Sequence, residues 1–293
     1  MPEQSNLRGS LWMISCGLMF VAVALMVRHL GSDLPAIQAA FIRYSFGAIL
    51  LIPLLWRLRW RGVPRDRLPL YCTRGLIHSV AVMLWFFAMA RIPVAEVTAI
   101  GFSTPIITAL GAVLLFGERI RLRRGLAIFA GFVGTLIILR PGFQEISSGS
   151  LAQLVAAFFF AGSFLMTKRL TKTESSVDIL IMLTFTCTLA LLPGALYEWR
   201  TPTFNELCWL MLVAAFATAG HYALTKAISH APLSVIQPLT FLQLVWAILF
   251  GYLLFNEVPD VFVISGAALI IIAISYLTHR EAVVARRRKL EKI

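Results

Sequence analysis

The 293-residue chain carries 26 Lys and Arg against 14 Asp and Glu, a net charge of +12, yet only 14% of its residues are charged and 59% are hydrophobic. Soluble domains are nearer half apolar and a quarter charged, so this composition excludes a globule covered by water. Apolar runs of about twenty residues recur from end to end, the length that crosses a bilayer as a helix, and the alternating pattern of a membrane β-barrel is not seen.

In chain order the apolar runs predict spans near 9–28, 34–56, 70–90, 94–116, 123–140, 149–169, 179–197, 206–227, 233–254 and 259–278. The fold class expected is an all-α integral membrane protein with about ten transmembrane helices. The first run follows Arg8, and Ala22-Val23-Ala24 loosely resembles a cleavage site. It continues through Leu25-Met26-Val27, too long for a signal peptide core, and reads as a retained span. Pro93 and Pro232 suit the first turns of the fourth and ninth spans. Pro105 and Pro238 fall inside those spans and are expected to kink them.

Charge placement orients the chain. With the N-terminus in the cytoplasm, ten crossings put Arg57, Arg59, Arg61, Arg65, Arg67, Arg74, Arg119, Arg121, Arg123, Arg124 and the basic tail from Arg280 on one side. The other side receives Arg28, Arg91, Arg140 and Arg200. This bias fits the positive-inside rule with both termini cytoplasmic in an inner membrane. The basic clusters therefore read as topology signals that meet anionic lipid headgroups. Nucleic acid is not expected as a partner, because the basic loops are short and hold few aromatic residues for stacking.

The chain is also written twice. Residues 93–118 return as 232–257, a shift of 257 − 118 = 139, with Pro93 on Pro232, Phe102 on Phe241 and Glu118 on Glu257. At a shift of 140, Ser10 falls on Ser150, Met26 on Met166, Arg28 on Lys168 and Pro53 on Pro193. The predicted units are 1–146 and 147–293. Five helices per unit is an odd number, so the second unit is expected to insert upside down, as inverted repeats of secondary transporters do.

These residues support a family resemblance. The run Ala39-Ala40-Phe41-Ile42-Arg43-Tyr44-Ser45-Phe46-Gly47-Ala48, the crossing Ala88-Met89-Ala90-Arg91-Ile92-Pro93, Thr104-Pro105, and the exit Phe116-Gly117-Glu118-Arg119 carry it. Ala231-Pro232 and Phe255-Asn256-Glu257 repeat it in the second half. The chain resembles the drug/metabolite transporter superfamily, in particular its EamA-type members with ten helices. The resemblance implies a small-molecule transporter of the inner membrane and leaves the solute open.

Polar groups inside spans are the candidate solute-binding residues, because hydrocarbon penalises them. Arg43 could neutralise an anionic group of the solute or brace helix carbonyls. His78 and Trp85 lie seven residues apart on one face of the third span, where a ring could stack on a planar solute. Glu96 and Ser103 share one side of the fourth span; Glu96 could bind a cation or carry a proton, or simply suit a helix N-terminus. The eighth span offers His221, Tyr222 and Lys226, and Lys226 could equally reach headgroups. Gln237, Gln243 and Trp246 follow on the ninth, where amides could serve the solute or join helices. Glu118 and Glu257 suggest architecture, paired with an arginine. Ala127, Gly131 and Thr135 give a small-residue face open to intramolecular packing or to a homodimer seam. The scattered Cys16, Cys72, Cys187 and Cys208 suggest neither disulfide nor metal, and no cofactor motif is seen. The reading is a secondary transporter of a small polar metabolite (amino acid, vitamin or nucleobase-like), not an enzyme. The alternative is a membrane enzyme acting on lipid-linked substrates, which usually needs paired carboxylates or a nucleophile set.

Overall fold

A backbone in hydrocarbon must satisfy every N–H and C=O within the protein, which favours long apolar helices here. The computed structural model describes residues 6–58, 62–116, 122–140, 145–170, 173–231 and 237–290, and the regular structure among them is helical. The order is α1 (Asn6–Leu30), α2 (Ala36–Leu58), a 3-10 turn (Arg65–Arg67), α3 (Leu68–Met89), α4 (Val94–Gly101), α5 (Ser103–Phe116) and α6 (Leu122–Leu139). Then come α7 (Ser148–Leu170), α8 (Ser176–Tyr197), α9 (Phe204–His230), a 3-10 segment (Gln237–Phe241), α10 (Leu242–Phe255) and α11 (Val261–Leu290). Glu118 and Pro232 lie outside the described residues.

Six helical segments are long and apolar enough to cross a membrane: Leu7–Leu30, Ala36–Arg57, Arg65–Met89, Ser148–Thr167, Val177–Tyr197 and Phe204–Leu224. Four shorter apolar segments, Val94–Thr108, Phe129–Leu139, Leu239–Phe255 and Val261–Tyr276, accompany them. Large apolar side chains such as Ile52, Leu76, Phe129, Leu189, Phe216 and Leu253 are exposed on the outside of the bundle. A water-soluble monomer rarely leaves so much apolar surface uncovered. The chain is a multi-pass membrane protein.

Two predicted spans hold irregular turns, and a proline lies at each. The fourth breaks between Gly101 and Ser103, where the Phe102 N–H bonds the Thr98 and Ala99 carbonyls (both 3.2 Å). Pro105 has no N–H to give the Gly101 carbonyl, and its ring crowds that carbonyl. In the ninth, the described residues begin at Gln237 with a 3-10 segment that contains Pro238 and runs into α10. Pro53 and Pro193, by contrast, are absorbed inside α2 and α8.

Packing runs in pairs: α1 on α9, α3 on α7, α2 on α8 and α6 on α11. The α6–α11 crossing depends on glycine. A Cβ at Gly266 would stand 2.6 Å from the Gly134 carbonyl oxygen and 2.6 Å from Ile138 Cγ1. A Cβ at Gly134 would stand 2.8 Å from the Gly266 carbonyl oxygen. Because the obstacle is backbone, Gly266→Ala must push the helices apart. The expected cost is about 1–3 kcal/mol, the usual range for overpacking. Denaturant titration of the detergent-solubilised protein measures it, with the lipid-facing Phe132→Ala as the near-neutral control. The Gly131–Thr135 face packs within the chain: Thr135 Oγ1 lies 2.8 Å from Ser103 Oγ, and a Cβ at Gly131 would enter Ile106.

One end of the bundle is stitched by polar contacts. Glu257 accepts from Arg28 Nε (2.8 Å) and from the Val94 N–H (2.9 Å), joining the end of α10 to α1 and to the start of α4. Arg140 pairs with Asp260 at 2.7 Å, joining α6 to α11. Fully buried Gln38 on α2 donates to the Arg200 carbonyl (2.5 Å) and accepts its N–H (3.1 Å). Arg200 pairs with Glu206, whose carboxylate completes a capping box with Thr203 at the start of α9. The opposite end is held by the weaker Arg67–Glu174 (3.9 Å) and Tyr71–Glu174 (3.4 Å) contacts among the described residues.

Candidate functional site

The polar side chains of mid-bundle meet where α2, α3, α7, α8 and α9 face one another. The Arg43 guanidinium stands 4.1 Å from the centre of the Tyr44 ring. Such stacking draws a cation to the ring face, and Arg43 is partly buried. Buried Tyr44 meets His78 edge-on at 6.5 Å. His78 Nδ1 is 3.1 Å from Ser163 Oγ on α7, and its ring stands edge-on to Phe160 at 5.3 Å. His221, on α9, lies edge-on to Phe20 at 5.1 Å.

Arg74 completes the group. It is only 7% exposed, and its Nη1 donates to the Ile179 carbonyl at 3.2 Å. Its Nε is buried with no partner among the described residues. Gly75 lets α3 approach Thr186 of α8, and Cys187 Sγ donates to the Gly75 carbonyl at 3.5 Å. His78 and His221 each lie within electrostatic reach of Arg43 and Arg74, as do Tyr44 and Cys187. Among the described residues, the ion pairs are Arg28–Glu257, Arg67 with Asp66 and Glu174, Arg140–Asp260 and Arg200–Glu206. None of them includes Arg43 or Arg74.

A narrow cleft runs into this cluster. Arg43, Tyr44, Gly47, Leu180, Leu183, Thr184, Ala214, Thr218 and His221 line it, and its volume is ≈ 10 Å³. That is on the order of one water molecule, so the walls are nearly in contact. A second cavity of ≈ 60 Å³ lies at the stitched end, between the α1–α2 turn and the end of α3, lined by Leu34, Pro35, Phe86 and Arg91 among others.

Of the residues proposed from sequence, Arg43, His78 and His221 converge here. The others lie elsewhere. Trp85 is partly buried against the apolar core beside Phe86 (5.4 Å, edge-on). Glu96 accepts from Ser150 Oγ at 2.6 Å, joining the first turns of α4 and α7. Ser103 is buried against Thr135. Tyr222 is 54% exposed, with Trp12 at 6.1 Å and the Lys226 ammonium 5.5 Å from its ring centre. Gln243 packs over Gly17 of α1, and Trp246 stacks on Phe250 at 6.3 Å. The side chain of Gln237 lies outside the described residues.

Sequence reasoning missed Arg74, which it counted with the loop charges that set topology. The usable signal was its spacing: Arg74 and His78 sit at i and i+4, one face of one helix.

The sequence profile of the EamA-like transporter family matches residues 7–140 and again 147–278. The chain belongs to the EamA-like transporter family. It is 29% identical over 289 residues to the riboflavin transporter of Vibrio cholerae, covering 97% of each chain. It is 29% identical over 256 residues to the S-adenosylmethionine uptake transporter of Rickettsia bellii, covering 87% of this chain and 88% of that one. A solved crystal structure matches with a TM-score of 0.61 at 19% identity, over 93% of this chain and 97% of that chain, a likeness of fold alone. Family and relatives are transporters, so the alternative of a lipid-processing enzyme has no support. The two EamA matches divide between them the helices that build the cluster: α2 and α3 fall in the first, α7, α8 and α9 in the second.

Proposed function

We propose that this EamA-family protein moves a small polar organic metabolite across a bacterial inner membrane by alternating access, with the Arg43–Arg74–His78–His221 cluster as its solute site. The observation that carries the reading is a polar cluster inside the bundle, buried at Arg74 and partly buried at Arg43, His78 and His221, where the two family-matched segments meet. Hydrocarbon penalises such groups unless protein, water or solute satisfies them. The relatives act on riboflavin and on S-adenosylmethionine. A flat heteroaromatic part with a polar tail is common to both, and it suits a site that has Tyr44, Phe160 and Phe20 around its cations.

Ten spans in two inverted units, 1–146 and 147–293, fit the packing. Exchanging α1 with α7, α2 with α8, α3 with α9, and α6 with α11 turns the α1–α9 contact into α7–α3. It turns α2–α9 into α8–α3 and leaves α2–α8 and α6–α11 as themselves. All these contacts occur. The charge bias of the loops supports a stitched end outside and both termini in the cytoplasm. The state described would then be shut on the outside.

Metabolite profiling of cells overproducing the protein tests the reading, against cells carrying an Arg43→Ala variant of equal abundance. The expected result is a metabolite whose inside-to-outside ratio changes only with the wild type. Identical profiles in several media would count against transport.

A further inference from the structure

We infer that the solute of this site carries an acidic oxygen group, a carboxylate or a phosphate, bound by Arg43 on the cleft wall and by the buried Arg74 of the same cluster. The inference rests on the transport reading above and narrows its solute class.

Two arginines and two histidines gather inside the bundle, Arg74 buried and Arg43, His78 and His221 partly buried, while the ion pairs among the described residues all lie elsewhere. An arginine held out of water usually sits against a carboxylate. Arg74, which is so held, has a single backbone carbonyl instead, and the partly buried Arg43 a tyrosine face. The second observation is the Arg74 Nε, buried and without a partner among the described residues. A buried donor left unmade is costly, and an idle guanidinium edge matches a two-oxygen acid. Other functions of Arg74 fit less well. It does not snorkel to headgroups, because it is 7% exposed. One carbonyl, to Ile179, does not use its remaining donors. The neighbouring hydroxyls of Tyr44, Ser163, Thr184 and Thr218 can orient the rest of a polar solute.

The test uses two matched pairs of radiolabelled probes on purified protein in proteoliposomes. Riboflavin and its 5′-phosphate differ by a phosphate. Methylthioadenosine and S-adenosylhomocysteine differ by an amino acid group. Binding is measured for the wild type, Arg74→Gln, Arg74→Lys and Arg43→Gln. The inference predicts that in at least one pair the acid-bearing member binds about tenfold tighter or more, the worth of one charge-assisted contact. Arg74→Gln removes that preference; Arg74→Lys, which keeps the charge, retains part of it. Which pair responds separates phosphate from carboxylate. Equal binding within both pairs, absence of binding included, overturns the inference, as does a preference that survives both Arg74→Gln and Arg43→Gln. Flux of the neutral twins is recorded on the same vesicles. Neutral flux without acid preference ends this inference and keeps the transport reading.

Discussion

Glu257→Ala opens the stitched end of the bundle. The carboxylate, with a side chain 11% exposed, holds Arg28 and caps the Val94 N–H. Without it Arg28 keeps a weak 3.4 Å contact to the Met89 carbonyl, and the first N–H of α4 loses its partner. Breaking a largely buried pair from one side costs about 2–4 kcal/mol, since the surviving charge stays poorly solvated. If these bonds exist only while this end is shut, the open population rises by about thirtyfold or more. A cysteine at Leu34, which lines the adjoining cavity, reports it through a membrane-impermeant maleimide. Faster labelling is expected in Glu257→Ala, with Glu257→Gln between, because an amide oxygen can still accept from Val94. Lower thermal stability with unchanged labelling would mean that the contact persists in every state and is architecture alone.

Arg43→Ala cuts transport sharply while sparing the fold. Arg43 stacks on the Tyr44 ring, and no ion pair among the described residues includes it. Its loss is therefore expected to cost about 1 kcal/mol or less of stability, the range of a cation–π contact. If it grips solute, flux into proteoliposomes falls by about tenfold or more, as removal of a charge-assisted contact requires. Arg43→Lys keeps the charge and retains part of the flux. A stable Arg43→Ala protein with wild-type flux would remove Arg43 from the solute path.

The all-helical membrane class was legible in composition and in the apolar runs, Pro105 marked the interrupted fourth span, and Pro238 falls in the 3-10 segment before α10. The convergence of Arg43, His78 and His221 was legible as three polar groups in hydrocarbon. Which helix face each presents was not. When most faces of a helix are apolar, spacing along it does not say whether a polar residue meets a cavity, a neighbouring helix or lipid. Ser103 meets Thr135 and Glu96 meets Ser150, whereas Tyr222 is exposed, and no local pattern distinguishes these three. Arg74 was hidden by its address: six residues into α3, it resembles the loop arginines just before it. Glu257 was read as architecture, and its pair with Arg28 fits that reading. Its partnership with the Val94 N–H joins residues 163 positions apart, which sequence could not reveal.

The most direct measurement is solute protection of a cysteine in the cleft. Thr184, 5% exposed and lining the cleft beside Arg43 and His221, is replaced by cysteine in a protein whose four native cysteines are serine. A small water-soluble maleimide is applied with and without a deproteinised metabolite extract, and with the extract after Arg43→Ala. The account predicts labelling from solution, slowed by the extract in the wild-type background and not slowed with Arg43→Ala. Labelling at one rate in all three conditions would contradict a solute site at this cluster.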